Sequence, residues 1–152
     1  GLRYLMALEN LEIAHCERLD LMMDDDQGKE KDVKLGGGLR SLRFLGIRNL
    51  PKLVTLPHWL QGASNTLKHI EIEYCPNFTT LPEWIENLKS LEKLEIADCD
   101  KLTSLPKGMR HLSTLREIRI RRCPELSRRC QWETGKDWHK ISHVPNIYLD
   151  HF

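Results

Sequence analysis

Cysteine and histidine are the side chains with the widest chemical reach in this chain of 152 residues, which holds five of the first and seven of the second. Cys123, Cys130, His139 and His143 offer the four donors of a structural zinc site, but six residues separate the two cysteines. Such pairs are usually two to four residues apart. Cys16, Cys75, Cys99 and Cys123 close one recurring sequence pattern, where Leu50 and Phe152 stand in two other copies. Neither leucine nor phenylalanine can ligate a metal or act as a nucleophile, so this ladder reads as structural. A small buried thiol there can donate weakly to turn carbonyls. An odd number of cysteines placed this way suggests reduced thiols in a reducing compartment, not a disulfide framework. Asp24, Asp25 and Asp26 lack the alternate spacing of an EF-hand loop and read as a solvated acidic segment. No serine, cysteine or histidine falls into a nucleophile, base and orienter arrangement, so no catalytic residue, cofactor or metal is assigned.

The pattern that places the cysteines is L-x-x-L-x-I-x-x-C, clearest in Leu91 to Cys99 and continued by Leu102, Leu105 and Pro106. Copies start at Leu8, Leu42, Leu67, Leu91 and Leu115, at intervals of 34, 25, 24 and 24 residues, and a sixth runs from Val144 to Phe152. A fixed period of this length means stacked structural units. Each apolar core alternates with period two, as a strand with one buried face does. One such strand cannot bury its leucines alone, but successive turns about 4.8 Å apart form a parallel sheet over a continuous core. The expected fold is an α/β solenoid, a curved right-handed stack. Some six short parallel strands lie on its concave face, near 8–16, 42–50, 67–75, 91–99, 115–123 and 144–152. Short helices or 3₁₀ turns and loops form its convex face.

Leu56-Pro57-His58-Trp59, Leu81-Pro82-Glu83-Trp84 and Leu105-Pro106-Lys107-Gly108 mark the return across the core, with proline expected at the first helical position. Trp59, Trp84 and Met109, with Leu88 and Leu112, fill the convex side. Residues 22–38, charged and glycine-rich, form a loop insertion between repeats. Residues 124–143 break the period and read as a capping segment whose Trp132 and Trp138 cover the open end of the core. The whole of 1–152 reads as one domain fragment, since it is too short for two comfortable domains. Leu2, Leu5 and Leu8 repeat the spacing of Ile85, Leu88 and Leu91, so the amino end begins on the convex side of a truncated repeat. That predicts an uncapped apolar edge prone to self-association.

A formal net charge of +1 supplies no global field toward nucleic acid or an acidic membrane, and no apolar run is long enough to span a bilayer. Recognition must come from local patches on the exposed strand face. Its central column is Glu12, Gly46, Glu71, Glu95, Arg119 and Tyr148. Glu71, Glu73, Glu95 and Asp98 form an acidic zone, and Arg116, Arg119, Arg121 and Arg122 a basic one. These eight, with Tyr74 and Tyr148, are the candidate protein-binding residues. Glu95 with Arg119, and Asp98 with Arg122, are placed to pair across neighbouring strands.

The repeat with cysteine at its turn and L-P-x-W on its return resembles the carboxy-terminal leucine-rich repeats of plant intracellular immune receptors, the nucleotide-binding leucine-rich-repeat proteins of coiled-coil type. So does the tail, Cys123-Pro124-Glu125-Leu126, Arg129-Cys130, then Gly135-Lys136-Asp137-Trp138-His139-Lys140-Ile141-Ser142-His143-Val144-Pro145-Asn146-Ile147. The resemblance implies perception of a pathogen effector, directly or through a guarded host protein, and restraint of the receptor's nucleotide-binding domain. It also implies a cytoplasmic, or nuclear, location. No G-x-x-x-x-G-K-[ST] motif occurs, so the nucleotide switch itself lies outside this sequence. The alternative is a generic intracellular repeat scaffold, such as a ubiquitin-ligase substrate receptor. RNA or phospholipid binding through the arginines is disfavoured by the near-zero net charge.

Overall fold

The computed structural model describes residues 7–17 and 39–150. The acidic segment Asp24 to Asp26, the 22–38 insertion, Leu2 and Leu5 at the amino edge, and His151 and Phe152 of the last repeat lie outside the described residues.

Among the described residues there are six strands: β1 (Asn10–Ala14), β2 (Phe44–Arg48), β3 (His69–Glu73), β4 (Lys93–Ala97), β5 (Glu117–Arg121) and β6 (Asn146–Leu149). They form one sheet in sequence order, every neighbouring pair parallel. This is a leucine-rich-repeat solenoid. Each strand begins two residues after the first apolar residue of its repeat, because that residue, Leu42, Leu67, Leu91 or Leu115, is buried in the turn leading in. In β2 to β5 the inward pairs Leu45 and Ile47, Ile70 and Ile72, Leu94 and Ile96, Ile118 and Ile120 are buried. In the edge strands β1 and β6 the equivalents Leu11, Ile13, Ile147 and Leu149 are only partly buried, since each has a neighbour on one side alone.

Three 3₁₀ turns return the chain: His58–Ala63, Glu83–Asn87 and Lys107–His111. Pro57, Pro82 and Pro106 stand immediately before them, not at their first position. Their ψ of 138°, 152° and 158° keeps each in the extended segment that crosses the core. The fixed proline φ suits that extended entry equally well. Trp59, Leu60, Ile85, Leu88, Met109 and Leu112 fill the space opposite the sheet, while Trp84 is only partly buried. Gly108, not Met109, takes the place of Trp59 and Trp84. A Cβ at Gly108 would lie 2.8 Å from the Glu83 carbonyl oxygen, so the third turn packs backbone to backbone on the second.

At the ends of β1 to β5 the chain turns inward through a non-glycine residue of positive φ: His15 (55°), Asn49 (53°), Tyr74 (53°), Asp98 (54°) and Arg122 (53°). The left-handed conformation points each amide along the stack. His15 N–H donates to the Arg48 carbonyl at 3.0 Å, Asn49 to Glu73 at 2.9 Å, Tyr74 to Ala97 at 3.0 Å and Asp98 to Arg121 at 3.0 Å. The last rung differs, because Arg122 N–H donates to the side-chain carboxylate of Asp150. The following cysteine locks the turn. Cys16, Cys75, Cys99 and Cys123 each direct Sγ to the carbonyl two residues back, at 3.2, 3.6, 3.3 and 3.4 Å.

After β5 come two short helices, α1 (Pro124–Arg129) and α2 (Trp138–Ile141). Leu126, Cys130, Ile141 and Val144 are buried in the main core and close its end. Trp132 does not: it is 68 % exposed. It meets the partly buried Trp138 edge to face at 6.4 Å, so one tryptophan rests on the core and the other on that tryptophan. Asp137 is wholly buried. It accepts from Arg129 at 3.0 and 3.2 Å, from Lys140 Nζ at 2.8 Å and from the Leu105 N–H at 2.8 Å. Lys140 also donates to the Leu105 carbonyl at 2.6 Å. The G-x-D-W motif thereby clamps this segment onto the L-P turn of the preceding repeat.

Candidate functional site

The sheet register brings the outward side chains into columns. Glu12, Gly46, Glu71, Glu95, Arg119 and Tyr148 stand side by side across β1 to β6, as the sequence pattern requires. A second column, Phe44, His69, Lys93, Glu117 and Asn146, lies beside it. Sequence reasoning did not assign that column a role. Its alternation of charge between successive repeats is the signal that would have found His69, Lys93 and Glu117.

The two columns interlock. Glu95 is the hub: one carboxylate oxygen lies 3.3 Å from Lys93 Nζ and 3.7 Å from Arg119 Nε, and the other 3.3 Å from His69 Nε2. Burial acts to raise the Glu95 pKa, but Lys93 and His69 outweigh it and hold the carboxyl below its usual range. Glu71 goes the other way. Partial burial and the neighbouring Glu95 carboxylate raise its pKa, because two like charges stand directly opposite in the register. Glu117 pairs with Arg119 at 2.5 Å and with Lys93 at 3.4 Å. Arg119 also lies over the Tyr148 ring, 4.3 Å from its centre, a cation–π contact.

At the strand ends Asp98 and Arg122 form a forked pair with contacts of 2.7 to 2.9 Å. Arg122 holds the Asp98 carboxyl low. Glu73 pairs with Arg48 at 2.7 Å and approaches Arg121 at 4.0 Å. His15, Arg48, Asn49, Glu73 and Tyr74 line an open groove of about 490 Å³ along the left-handed turns. Asn49 Nδ2 lies 3.0 Å from His15 Nδ1 on its floor.

The structure therefore brings nine of the ten candidate residues onto one face. Arg116 stands apart. It precedes β5, five residues or about 16 Å of strand from Arg121. The four arginines are thus spread along the strand instead of clustered. Arg116 makes no salt bridge among the described residues, whereas Arg119 and Arg122 are engaged by acidic neighbours. His15, Arg48 and Asn49, which line the groove, were not among the candidates; only the left-handed turn brings them beside Glu73 and Tyr74.

The cysteine and histidine set considered for zinc does not converge. Cys123 and Cys130 are buried and His139 is exposed, while His143 Nε2 faces the Leu112 carbonyl at 3.1 Å. Burial pushes the Cys123 thiol up to about 11 and the Cys130 thiol up to about 12. Among the described residues no helix is long and apolar enough to cross a membrane.

None of the curated proteins matches this chain. Among solved structures it is similar to the leucine-rich repeat domain of the type III effector XCV3220 (XopL), at 21% identity and a TM-score of 0.49. That match covers 82% of this chain and 48% of the other, so the chain spans about half the length of that solved chain. The family model for leucine-rich repeats of plant disease resistance proteins of the RPS2-like type matches residues 1–124. Repeats of this kind are interaction modules, typically non-catalytic. With the match extending from the first residue through the cysteine turn of β5, the chain belongs to the leucine-rich-repeat family of plant disease resistance proteins.

Proposed function

We propose that this domain is the recognition and restraint module of a cytoplasmic plant immune receptor. Its strand face reads a pathogen effector, or a host protein the effector alters, and holds the receptor's nucleotide-binding domain inactive beforehand. The supporting observation is the composition of that face. Two of the four exposed large apolar side chains among the described residues, Tyr74 and Tyr148, lie on it and flank the Glu95 and Arg119 network. Tyrosine and arginine are the residues most often enriched where proteins dock. Charge sorted from Glu71 and Glu73 to Arg119 and Arg121 would steer encounter and fix orientation. Arg121, at 55 % side-chain exposure and with its nearest carboxylate 4.0 Å away, is the side chain best placed to pair with a partner's acid.

The test is the double charge reversal of Arg119 and Arg121 to Glu in the full receptor, read by effector response and by activity without effector. Loss of response, or activity in its absence, at normal protein level is expected. Retention of both response and restraint would remove this face as the working surface.

A further inference from the structure

We infer that His69, Glu71 and Glu95 form a binding site for a zinc-class divalent cation on the strand face. His69 and Glu71 are two residues apart on β3 and so project from the same face, and Glu95 is the register partner of Glu71 on β4. One donor atom from each lies within 4.8 Å of the others. His69 Nε2 is 3.4 Å from Glu71 Oε2 and 3.3 Å from Glu95 Oε2.

Donors bound to one zinc at about 2.0–2.1 Å with tetrahedral angles stand about 3.4 Å apart. Both histidine contacts have that spacing, as do the Lys93 ion pairs with Glu95 and Glu117 at 3.3 and 3.4 Å, so the distances are compatible with a shared cation and the assignment rests on the convergence of three side chains able to ligate zinc. The two carboxylate donors lie within 4.8 Å of one another.

The surroundings fit the same reading. Lys93 and Arg119 engage Oε1 of Glu95 and leave Oε2 toward His69. The His69 ring is held edge to face by Phe44 at 5.0 Å, so its orientation is set before any ion arrives. Glu71 and Glu95 face each other as like charges that a dication would join. Three protein donors on a face open to solvent leave the fourth position for water or a ligand from a docked protein, the arrangement of an open site.

The experiment is titration of the intact chain with zinc chloride by calorimetry, followed by cobalt(II) absorption. One ion per chain is expected, with a tetrahedral cobalt spectrum free of thiolate charge-transfer bands. His69→Ala and the near-isosteric Glu71→Gln and Glu95→Gln should each weaken binding at least about tenfold. Glu12→Gln, a carboxylate of the same outward column two strands away from Glu71, should leave it unchanged. No saturable binding by the unaltered chain, or thiolate bands in the cobalt spectrum, would overturn the site. So would binding that survives both glutamine substitutions in folded protein, or that falls equally in Glu12→Gln.

Discussion

Asp137 accepts a hydrogen bond from the backbone amide of Leu105, 32 residues earlier, at 2.8 Å, while Arg129 and Lys140 close around its other lone pairs. Removing a carboxylate so enclosed takes from Arg129 and the Leu105 amide the acceptor they share and leaves Lys140 with the Leu105 carbonyl alone. Asp137→Ala should therefore cost about 3–5 kcal/mol, measured by urea unfolding at neutral pH. The pH dependence follows from the direction of its shift. Burial raises the Asp137 pKa, but Arg129, Lys140 and the Leu105 amide outweigh burial and bring it below the ordinary 3.8. A folded-state pKa under the unfolded one contributes stability that is present above the unfolded value and is lost as pH falls through the folded value. The gap between the original chain and Asp137→Asn should accordingly narrow below about pH 4.

Gly135 occupies a site that no side chain can share. A Cβ there would stand 2.2 Å from the Arg129 carbonyl oxygen, which is backbone and cannot rotate aside. Gly135→Ala should destabilise by more than about 2 kcal/mol in the same urea titration. Gly46→Ala, where the nearest atoms belong to the Phe44 ring at 3.1 Å, should be the milder of the two.

The two tryptophans after β5 should separate sharply. Trp132, exposed and resting on Trp138, is expected to be replaceable by Ala within about 0.5 kcal/mol. Trp138→Ala removes the ring that packs on the core and should lower the melting temperature by several degrees, read by differential scanning calorimetry. Equal effects would mean that both rings, or neither, cover the core.

Tyr74 holds φ at 53°, a conformation that costs a non-glycine residue about 1 kcal/mol and that asparagine tolerates best. Asn49 already fills the equivalent turn. Tyr74→Asn is expected to raise stability by a few tenths to about 1 kcal/mol in urea unfolding. The same substitution should weaken partner capture by the full receptor, because it removes an exposed aromatic from the groove.

Of the five thiols, Cys16 alone is partly exposed. Burial and elevated pKa values near 11 and 12 protect Cys123 and Cys130, the hydrogen bond with Cys75 together with burial raises Cys99, and Cys75, brought down to about 7 by its hydrogen bond with Cys99, is shielded by burial alone. Brief treatment of the folded chain with iodoacetamide at pH 8 should label Cys16 first, with all five labelled only in denaturant, as resolved by peptide mass spectrometry.

The strands were legible because burial of alternate leucines leaves a period-two mark in every repeat, and the constant interval fixes which residues stand side by side. The columns through Glu95 and Arg119 follow from that arithmetic alone. The turns were less legible. Tyr74 and Arg122 carry no local preference for positive φ, so only His15, Asn49 and Asp98 hinted at the conformation, and the groove it creates stayed hidden. The segment after β5 was readable as non-repetitive but not as a packing arrangement. Hydrophobicity placed Trp132 inside, whereas Leu126, Cys130, Ile141 and Val144 already fill the end of the core. Asp137 looked like any acidic residue of a motif. Its role rests on meeting Leu105 across a distance that local patterning does not encode.

Every inner rung along the left-handed turns joins two peptide groups, so no substitution can delete its acceptor. The last runs from the Arg122 amide to the Asp150 carboxylate, and there the acceptor is a side chain. Among the described turns, the spacing of the stack is written in backbone at every rung but this one. That makes Asp150 the one described position along these turns where a single codon can delete the acceptor, while the ladder between β5 and β6 and the Asn146 amide on the Arg116 carbonyl still hold the final strand.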